Sequence, residues 1–135
     1  DLVTGVQTCA LPILSKPDFI GKTALASTDQ RRRTWGMQVP EDVAQLGESL
    51  RYNGKPVGRV CSSAWSPYLR CGVAIVRLDD LGLGPELGPG TRLDVLCDDG
   101  AERQGLVCAT PMYDEQGEIP RGKRVDIPAM PSSPD

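Results

Sequence analysis

Residues 52–69, with the sequence YNGKPVGRVCSSAWSPYL, decide the fold of this chain. Asn53 and Gly54 stand between two apolar segments and favour a two-residue hairpin, because both tolerate the positive φ of a type I′ turn. A strand is expected to follow over residues 57–61. Residues 62–67, SSAWSP, are expected to break the ladder, since hydroxyls and a proline satisfy a turned backbone locally. The stretch therefore predicts a hairpin followed by a turn.

Short apolar runs separated by turn residues make up the rest of the chain. The 135 residues include 15 Gly and 12 Pro, which is high and favours strands and turns over helices. The expected strands cover residues 34–39, 48–52, 56–61, 71–78, 91–97 and 102–110. Six short antiparallel strands favour a small closed barrel, because closure removes exposed edges. We therefore predict an all-β fold, a small six-stranded antiparallel barrel with one short N-terminal helix.

Alternation along these runs also predicts which side chains face the interior. Trp35, Met37 and Val39 lie on one face of their strand, and Leu93 and Val95 lie on one face of theirs. The helix is expected over residues 19–26, with Ser15 or Asp18 as its cap. These positions define the predicted core and the start of the helix.

Four segments are expected along the chain. Residues 1–14 resemble the translation of a sequencing adapter and are predicted to be a non-native leader. A signal peptide is disfavoured there, because Asp1 leads the stretch and no positive n-region precedes it. Residues 15–33 are predicted to form a short helix and linker, residues 34–116 the barrel, and residues 117–135 a polar, proline-rich tail. The leader implies a fragment whose natural upstream part is missing.

The residue inventory excludes several kinds of chemistry. The chain has no histidine, so His-assisted serine or cysteine nucleophiles are excluded, and the glycine-rich phosphate loops are absent. No basic face dominates, which argues against nucleic-acid binding. The chain also has no run of 18 apolar residues, which argues against a membrane-spanning helix. Cys61, Cys71, Cys97 and Cys108 lie beside apolar runs and are expected to be buried, reduced thiols. Reduced cysteines suit a cytoplasmic or organelle-matrix protein, and we predict a cytoplasmic one.

Several motifs, in a shared order, carry a resemblance to a known family. The segment KPDFIGK at residues 16–22 resembles the K-x-D-F-I-G-[KR] entry to the C-terminal domain of aminomethyltransferases, the glycine-cleavage T-protein family. Residues 53–63, NGKPVGRVCSS, resemble the family's G-x-x-V-G-x-V-T-S-G strand and turn, and SPYL at 66–69 matches the S-P-x-L that follows. GTRLDV at 90–95 and PMYD at 111–114 resemble the final strand pair and exit.

This resemblance implies a six-stranded barrel that packs behind an N-terminal folate-binding region. The complete enzymes transfer a one-carbon unit to tetrahydrofolate, and the family's catalytic aspartate lies upstream of the matched region. No position here inherits a catalytic role, so the fragment is expected to be inactive alone. Cys61 stands where the family usually has Thr, and Ala64 where Gly is common. The first departure removes a Thr hydroxyl and argues against a polar role at position 61.

The resemblance also suggests residues near a folate cleft. Tyr113, Ser62 and Ser63 are the candidates for cofactor binding. Candidate partners for the carboxylates of the folate glutamate tail are the basic residues Arg121, Lys123 and Arg124. The alternatives are a backbone-satisfying turn for the serines, a partly buried aromatic for Tyr113 and a solvated tail for the three basic residues. No metal site is expected.

Two other functions stay open from the sequence. The same barrel ends the flavin-linked dimethylglycine and sarcosine dehydrogenases, whose parent protein would carry FAD. A non-enzymatic binding module is the third possibility. For an aminomethyltransferase or a flavin-linked dehydrogenase, the expected partner is the missing N-terminal region of the same protein. The sequence does not determine the methyl or aminomethyl donor, or the oligomeric state.

Overall fold

The computed structural model describes residues 14–28, 33–79, 87–126 and 129. The predicted leader, apart from Leu14, lies outside the described residues, and so does most of the chain after Asp126. The chain divides into two compact units, Asp1–Arg31 and Arg32–Asp135, and each is described by itself. The boundaries of the four predicted segments therefore stay predictions.

The first unit contains a short helix, α1, over Lys22–Ser27. Gly21 is its N-cap with a φ of 88°, and no side chain caps the helix. Asp18 accepts a hydrogen bond from the Phe19 N–H at 2.9 Å and does not cap the helix, so the expected Ser15 or Asp18 cap is wrong. Glycine replaces a side-chain cap because the left-handed conformation at this position suits a residue without Cβ.

The second unit is a closed barrel of six antiparallel strands. They are β1 (Thr34–Pro40), β2 (Ser49–Tyr52), β3 (Lys55–Ser66), β4 (Cys71–Leu78), β5 (Arg92–Leu96) and β6 (Glu102–Cys108). The order around the barrel is β1-β4-β3-β2-β5-β6, and β6 closes on β1. This architecture confirms the predicted fold class. Among the described residues, no helix is long and apolar enough to cross a membrane.

The β2–β3 hairpin turns as its sequence predicts. Asn53 has a φ of 51° and Gly54 a φ of 74°, as a type I′ turn requires. The β5–β6 connection uses Asp98, Asp99 and Gly100, with Gly100 at a φ of 82°. The Cys97 N–H donates to the carbonyl oxygen of Ala101 at 2.9 Å and closes this second hairpin.

β3 does not end where the sequence predicts. We expected residues 62–67 to break the ladder, but β3 continues to Ser66 and pairs with β4 from Ser62↔Ile75 to Ser66↔Cys71. The prediction is wrong because the irregularity is a bulge at Cys61, where the register with β4 shifts between Val60 and Ser62. A bulge takes up one extra residue, bends the strand and lets pairing resume.

The barrel interior holds the apolar core. Met37, Val39, Leu93 and Val95 are fully buried, as the alternation predicts, and Trp35 packs against the core while partly exposed. The other core residues come from β2, β3, β4 and β6, from the loop after β1 and from the position after β5; they are Ala44, Leu50, Val57, Val60, Ala74, Val76, Leu78, Cys97 and Val107.

The loop between β1 and β2 fills one end of the barrel. Ala44 forms an isolated bridge with Cys97, and the Gln45 N–H donates to the Leu96 carbonyl oxygen at 2.9 Å. Gly72 makes this approach possible, since a Cβ there would overlap the carbonyl oxygen of Asp42 and lie 3.0 Å from Cα of Val43. The glycine at the start of β4 therefore lets a loop backbone seal the barrel.

The cysteines depart in part from the expectation of buried thiols. All four described cysteines are free, and Cys97 is buried. Cys71 and Cys108 are half-buried, and Cys61 is exposed because the bulge places it outside the core. Desolvation raises the pKa of the Cys71, Cys97 and Cys108 thiols. The expectation is therefore wrong for Cys61.

Candidate functional site

The residues that follow β6 return to the β3–β4 turn and build an aromatic cluster there. The rings of Tyr68 and Tyr113 stack with their centroids 5.5 Å apart and their planes at 21°. Cζ of Arg124 lies 5.6 Å from the centroid of the Tyr113 ring, within the range of a cation–π contact. We call these three residues the tyrosine cluster. It joins the turn to the end of the described barrel unit.

Local hydrogen bonds hold the Tyr68 side of the cluster in place. The Arg70 N–H donates to the Ser66 carbonyl oxygen at 2.8 Å, and the Leu69 N–H donates to Ser66 Oγ at 3.3 Å. Arg70 adopts a φ of 53°, which closes the turn. Ser66 thus satisfies the turn with both its backbone and its side chain, so its role in the structure is local.

The other side of the cluster rests on a loop organised by Asp114. Its carboxylate accepts hydrogen bonds from the N–H groups of Glu118 at 2.8 Å and Ile119 at 3.0 Å. The Lys123 N–H donates to the Glu118 carbonyl oxygen at 2.9 Å. These bonds fold residues 114–124 back on themselves and bring Arg124 over Tyr113.

Met112 anchors the same segment to the outer face of the barrel. A Cβ at Gly36 would lie 3.0 Å from Cγ of Met112 and 3.0 Å from Sγ of Cys108. Gly36 pairs with Cys108 and lies on the face of β1 opposite its core residues. It is nevertheless buried. The missing side chain at Gly36 therefore makes room for the segment that carries Tyr113.

Tyr113 carries an unusual feature for a partly buried tyrosine. Its hydroxyl is buried and has no hydrogen-bond partner among the described residues. A buried polar group without a partner normally costs stability, and such groups often mark a ligand or water site. The ring itself is engaged by Tyr68 and Arg124, so what remains open to a ligand is chiefly Tyr68, which is 39% exposed.

The structure places the two candidate serines on β3. Ser62 pairs with Ile75 and is exposed, while Ser63 pairs with Ala74 and is half-buried. Neighbouring residues of a strand point to opposite faces, so Ser62 and Ser63 do not present their hydroxyls to one surface. Their roles in cofactor binding stay predictions, as does that of Tyr113.

A separate polar cluster lies at the β5–β6 turn. Arg103 donates to Oδ1 of Asp99 at 2.7 Å and to Oδ2 at 2.5 Å, and its Nη1 lies 2.5 Å from Oδ2 of Asp42. The contact with Asp42 is an ion pair by distance without an aligned hydrogen bond. The Asp42 carboxylate also accepts a hydrogen bond from the Val43 N–H at 2.7 Å.

This polar cluster ties two loops together. Arg103 holds the pKa of Asp99 well below its ordinary value, chiefly through these hydrogen bonds, and the Ala101 N–H adds to the shift. Because Asp42 belongs to the loop that seals the barrel, we interpret the cluster as structural. Among the residues that the structure describes, no three His, Cys, Asp or Glu side chains group as a metal site.

Comparison with known proteins places the barrel in a family. The family model described as the glycine cleavage T-protein C-terminal barrel domain matches residues 32–114, more than half of the chain. The chain belongs to this family. Two aminomethyltransferases, from two strains of Thermus thermophilus, are each 33% identical over 67 residues, which is 50% of this chain and 19% of the relative.

These relatives extend well beyond the matched segment. The match spans about a fifth of their length. It therefore does not by itself extend the activity of a whole aminomethyltransferase to this chain. Both relatives bear the aminomethyltransferase name, and the comparisons do not favour the flavin-linked alternative. The family match and the resemblance in the sequence agree on the same barrel.

The tyrosine cluster fits a folate only in part. An aromatic surface and a guanidinium suit an aminobenzoyl ring and a glutamate carboxylate, and Tyr68 and Arg124 supply those groups. The Tyr113 ring is already engaged within the chain, and its hydroxyl is buried.

The sequence pointed to Tyr113, and to Arg124 only together with Arg121 and Lys123, but it did not point to Tyr68. The position of Tyr68 in the SPYL motif gave no signal for a stacking partner, because the two tyrosines lie on segments that meet only in the folded barrel. The predicted bond between Arg124 and a ligand carboxylate also did not anticipate its contact with Tyr113.

Proposed function

We propose that this chain is the C-terminal barrel of a folate-dependent aminomethyltransferase that transfers a one-carbon unit to tetrahydrofolate. The observation that carries the proposal is the family match over residues 32–114. The names of the two relatives and the shared order of sequence motifs support it. The donor of the one-carbon unit stays open.

The reacting groups are proposed to lie in polypeptide that precedes the barrel. The relatives carry about four-fifths of their length outside the matched segment, and the matched family domain is a C-terminal one. In this proposal tetrahydrofolate binds in the preceding region, and the barrel supports that region. The proposed location is the cytoplasm, which agrees with the free thiols at the described cysteines.

The contribution of the barrel to folate binding is proposed to come from the tyrosine cluster. Tyr68 and Arg124 stand at its accessible side, and Tyr113 fixes both of them by stacking and by a cation–π contact. Ser62 is exposed on β3, the strand that precedes the turn with Tyr68, and stays a candidate together with Ser63.

The test compares this chain with the longer natural protein, obtained by extending the reading frame upstream in the source genome. Isothermal titration with tetrahydrofolate is expected to show binding by the longer protein and none by the 135-residue chain. A one-carbon transfer assay on the longer protein is expected to yield a one-carbon derivative of tetrahydrofolate. Tight binding by the short chain, or a longer protein that neither binds nor transfers, would contradict the proposal.

Matched variants of the longer protein test the cluster. Tyr68→Ala and Arg124→Ala are expected to raise the KM for tetrahydrofolate, while Leu106→Ala is the control, because Leu106 is equally exposed at 39% on β6. An equal effect of all three variants would remove the tyrosine cluster from the proposed folate contact.

A further inference from the structure

The second half of β3 is an open sheet edge. β2 pairs with β3 only through Lys55 to Arg59, and the backbone of Glu48 reaches Val60. Beyond the bulge, residues 62–66 pair with β4 alone, and no strand among the described residues lies on their other side. The N–H and C=O groups that point away from β4 are therefore available to a further strand.

This edge lacks the features that usually protect one. Protected edges carry charges or prolines, or have bulges that twist them away. Residues 62–66 read SSAWS and contain neither a charge nor a proline, and the bulge lies before them at Cys61. An uncharged edge of this length without protection is typical of a surface that another segment covers.

Trp65 supplies a side-chain anchor on the same edge. Its side chain is 46% exposed although tryptophan gains much from burial. Its partner in the ladder is Gly72, and the space beside Gly72 is filled by the backbone of Asp42 and Val43. The barrel end is thus already closed, and burial of the indole requires a group from outside the described barrel.

The edge is also held rigidly. The turn after Ser66 is closed by the hydrogen bonds from Arg70 and Leu69, and Tyr68 is stacked on Tyr113. A surface that is ordered before binding loses less conformational entropy when a partner covers it. Exposed Trp and Tyr held in a fixed geometry are the residues that most often dominate interfaces.

We propose that residues 62–66 of β3 form the docking edge for the polypeptide that precedes the barrel. An extended segment of that region adds a strand to this edge and receives the Trp65 indole in an apolar pocket. The preceding region is the proposed occupant because about four-fifths of the relatives' length lies outside the matched segment, and the matched domain is a C-terminal one. This inference rests on the proposed function, because it requires the preceding region.

Amide hydrogen exchange tests the proposal on the 135-residue chain and on the longer natural protein. Among residues 62–65, the amides that point away from β4 are expected to exchange at least about tenfold more slowly in the longer protein, as for amides that enter a ladder. Trp65 emission, taken as the difference between each protein and its Trp65→Phe variant, is expected to lie at shorter wavelength in the longer protein than in the 135-residue chain.

Two lysine variants of the longer protein provide the matched control. Ala64→Lys places a charge on the open edge, while Leu106→Lys places one on β6, which is paired on both sides by β1 and β5. Ala64→Lys is expected to restore fast exchange at residues 62–65, and Leu106→Lys is expected to leave it slow. Equal effects of the two variants would overturn the docking edge.

The outcomes separate this inference from the proposed function. A longer protein that transfers the one-carbon unit but leaves residues 62–65 exchanging as fast as in the short chain overturns the docking edge alone. Protected amides in a longer protein that does not bind tetrahydrofolate overturn the proposed function alone. Protection that rises with the concentration of the short chain, and that the preceding region does not change, assigns the edge to a second copy and overturns the proposal.

Discussion

The two halves of β3 belong to one strand but lie in different surroundings. Residues 55–60 lie beside β2 and, from Gly58 onward, also pair with β4, and they contribute the buried side chains of Val57 and Val60. Residues 62–66 are paired on one side and contain no fully buried residue. The Cys61 bulge separates the two halves.

This difference shows that a strand's neighbours decide its burial. The first half packs a core because β2 pairs with its other side and continues the wall of the barrel. The second half extends past that closure, so its residues, including a tryptophan, stay accessible. The same backbone therefore serves stability in one half and, by our proposal, association in the other.

The largest expected effect comes from Gly72, which lies opposite Trp65. Gly72→Ala would drive a methyl group into the backbone of Asp42 and open the sealed end of the barrel. We expect a loss of about 3 kcal/mol in the free energy of unfolding, at the upper end of overpacking costs. Urea unfolding measures it, with Ser62→Ala on the exposed edge as the control. Wild-type stability in Gly72→Ala would show that the loop backbone moves aside.

The next prediction compares one residue from each half of β3. Val60→Ala removes buried methyl groups and is expected to cost about 2 kcal/mol. Trp65→Ala in the 135-residue chain is expected to cost less than about 1 kcal/mol, because its side chain is already 46% exposed. Urea unfolding of both variants gives the two values. A larger loss for Trp65→Ala would mean that the second half also supports the core.

A third prediction concerns pH at the sealed end of the barrel. The pKa of Asp99 is lower in the folded chain than in the unfolded one, because Arg103 hydrogen-bonds its carboxylate. The stabilisation is therefore present above the unfolded pKa of about 3.9 and is lost as pH falls below that value. Asp99→Asn should make stability fall less steeply between about pH 5 and pH 2.

The control for this pH dependence is Asp98→Asn in the same turn. Asp98 is exposed, and its backbone N–H donates to the Val43 carbonyl oxygen at 3.0 Å, a hydrogen bond that the substitution retains. Urea midpoints at several pH values measure both variants. Parallel curves for the wild type and Asp99→Asn would show that the Arg103 contacts contribute nothing to acid stability.

The smallest expected effect is that of the Tyr113 hydroxyl. Tyr113→Phe removes a buried group without a hydrogen-bond partner among the described residues, so stability should stay unchanged or rise by up to about 1 kcal/mol. Tyr113→Ala is the comparison and should lose stability, since it also removes the contacts with Tyr68 and Arg124. Thermal unfolding distinguishes the two. A clear loss in Tyr113→Phe would reveal an ordered water or another partner on the hydroxyl.

Much of the fold was accessible from the sequence for local reasons. Asn53 and Gly54 identified the hairpin because few residues tolerate positive φ at both positions. Alternation identified Met37, Val39, Leu93 and Val95 as core, since side chains of a strand alternate between its faces. The closed six-stranded barrel followed from the strand count and the need to remove edges.

The errors came where distant contacts override local preference. SSAWSP contains turn-forming residues, yet β4 supplies a partner and holds residues 62–66 in the ladder. Cys61 borders an apolar run, yet the bulge turns it to solvent. The cap of α1 is a separate, local error, because Gly21 adopts the left-handed conformation where a side-chain cap was expected.

The candidate site divides in the same way. Tyr113 was identifiable by type and position, but its stacking on Tyr68 and the placement of Arg124 depend on a segment that returns across the barrel over Gly36. The sequence by itself determined the turns, the strand faces and the family resemblance, because these depend on residue type and short spacing. The tertiary structure alone decided where β3 loses its second neighbour, because strand pairing joins residues that are far apart in the chain.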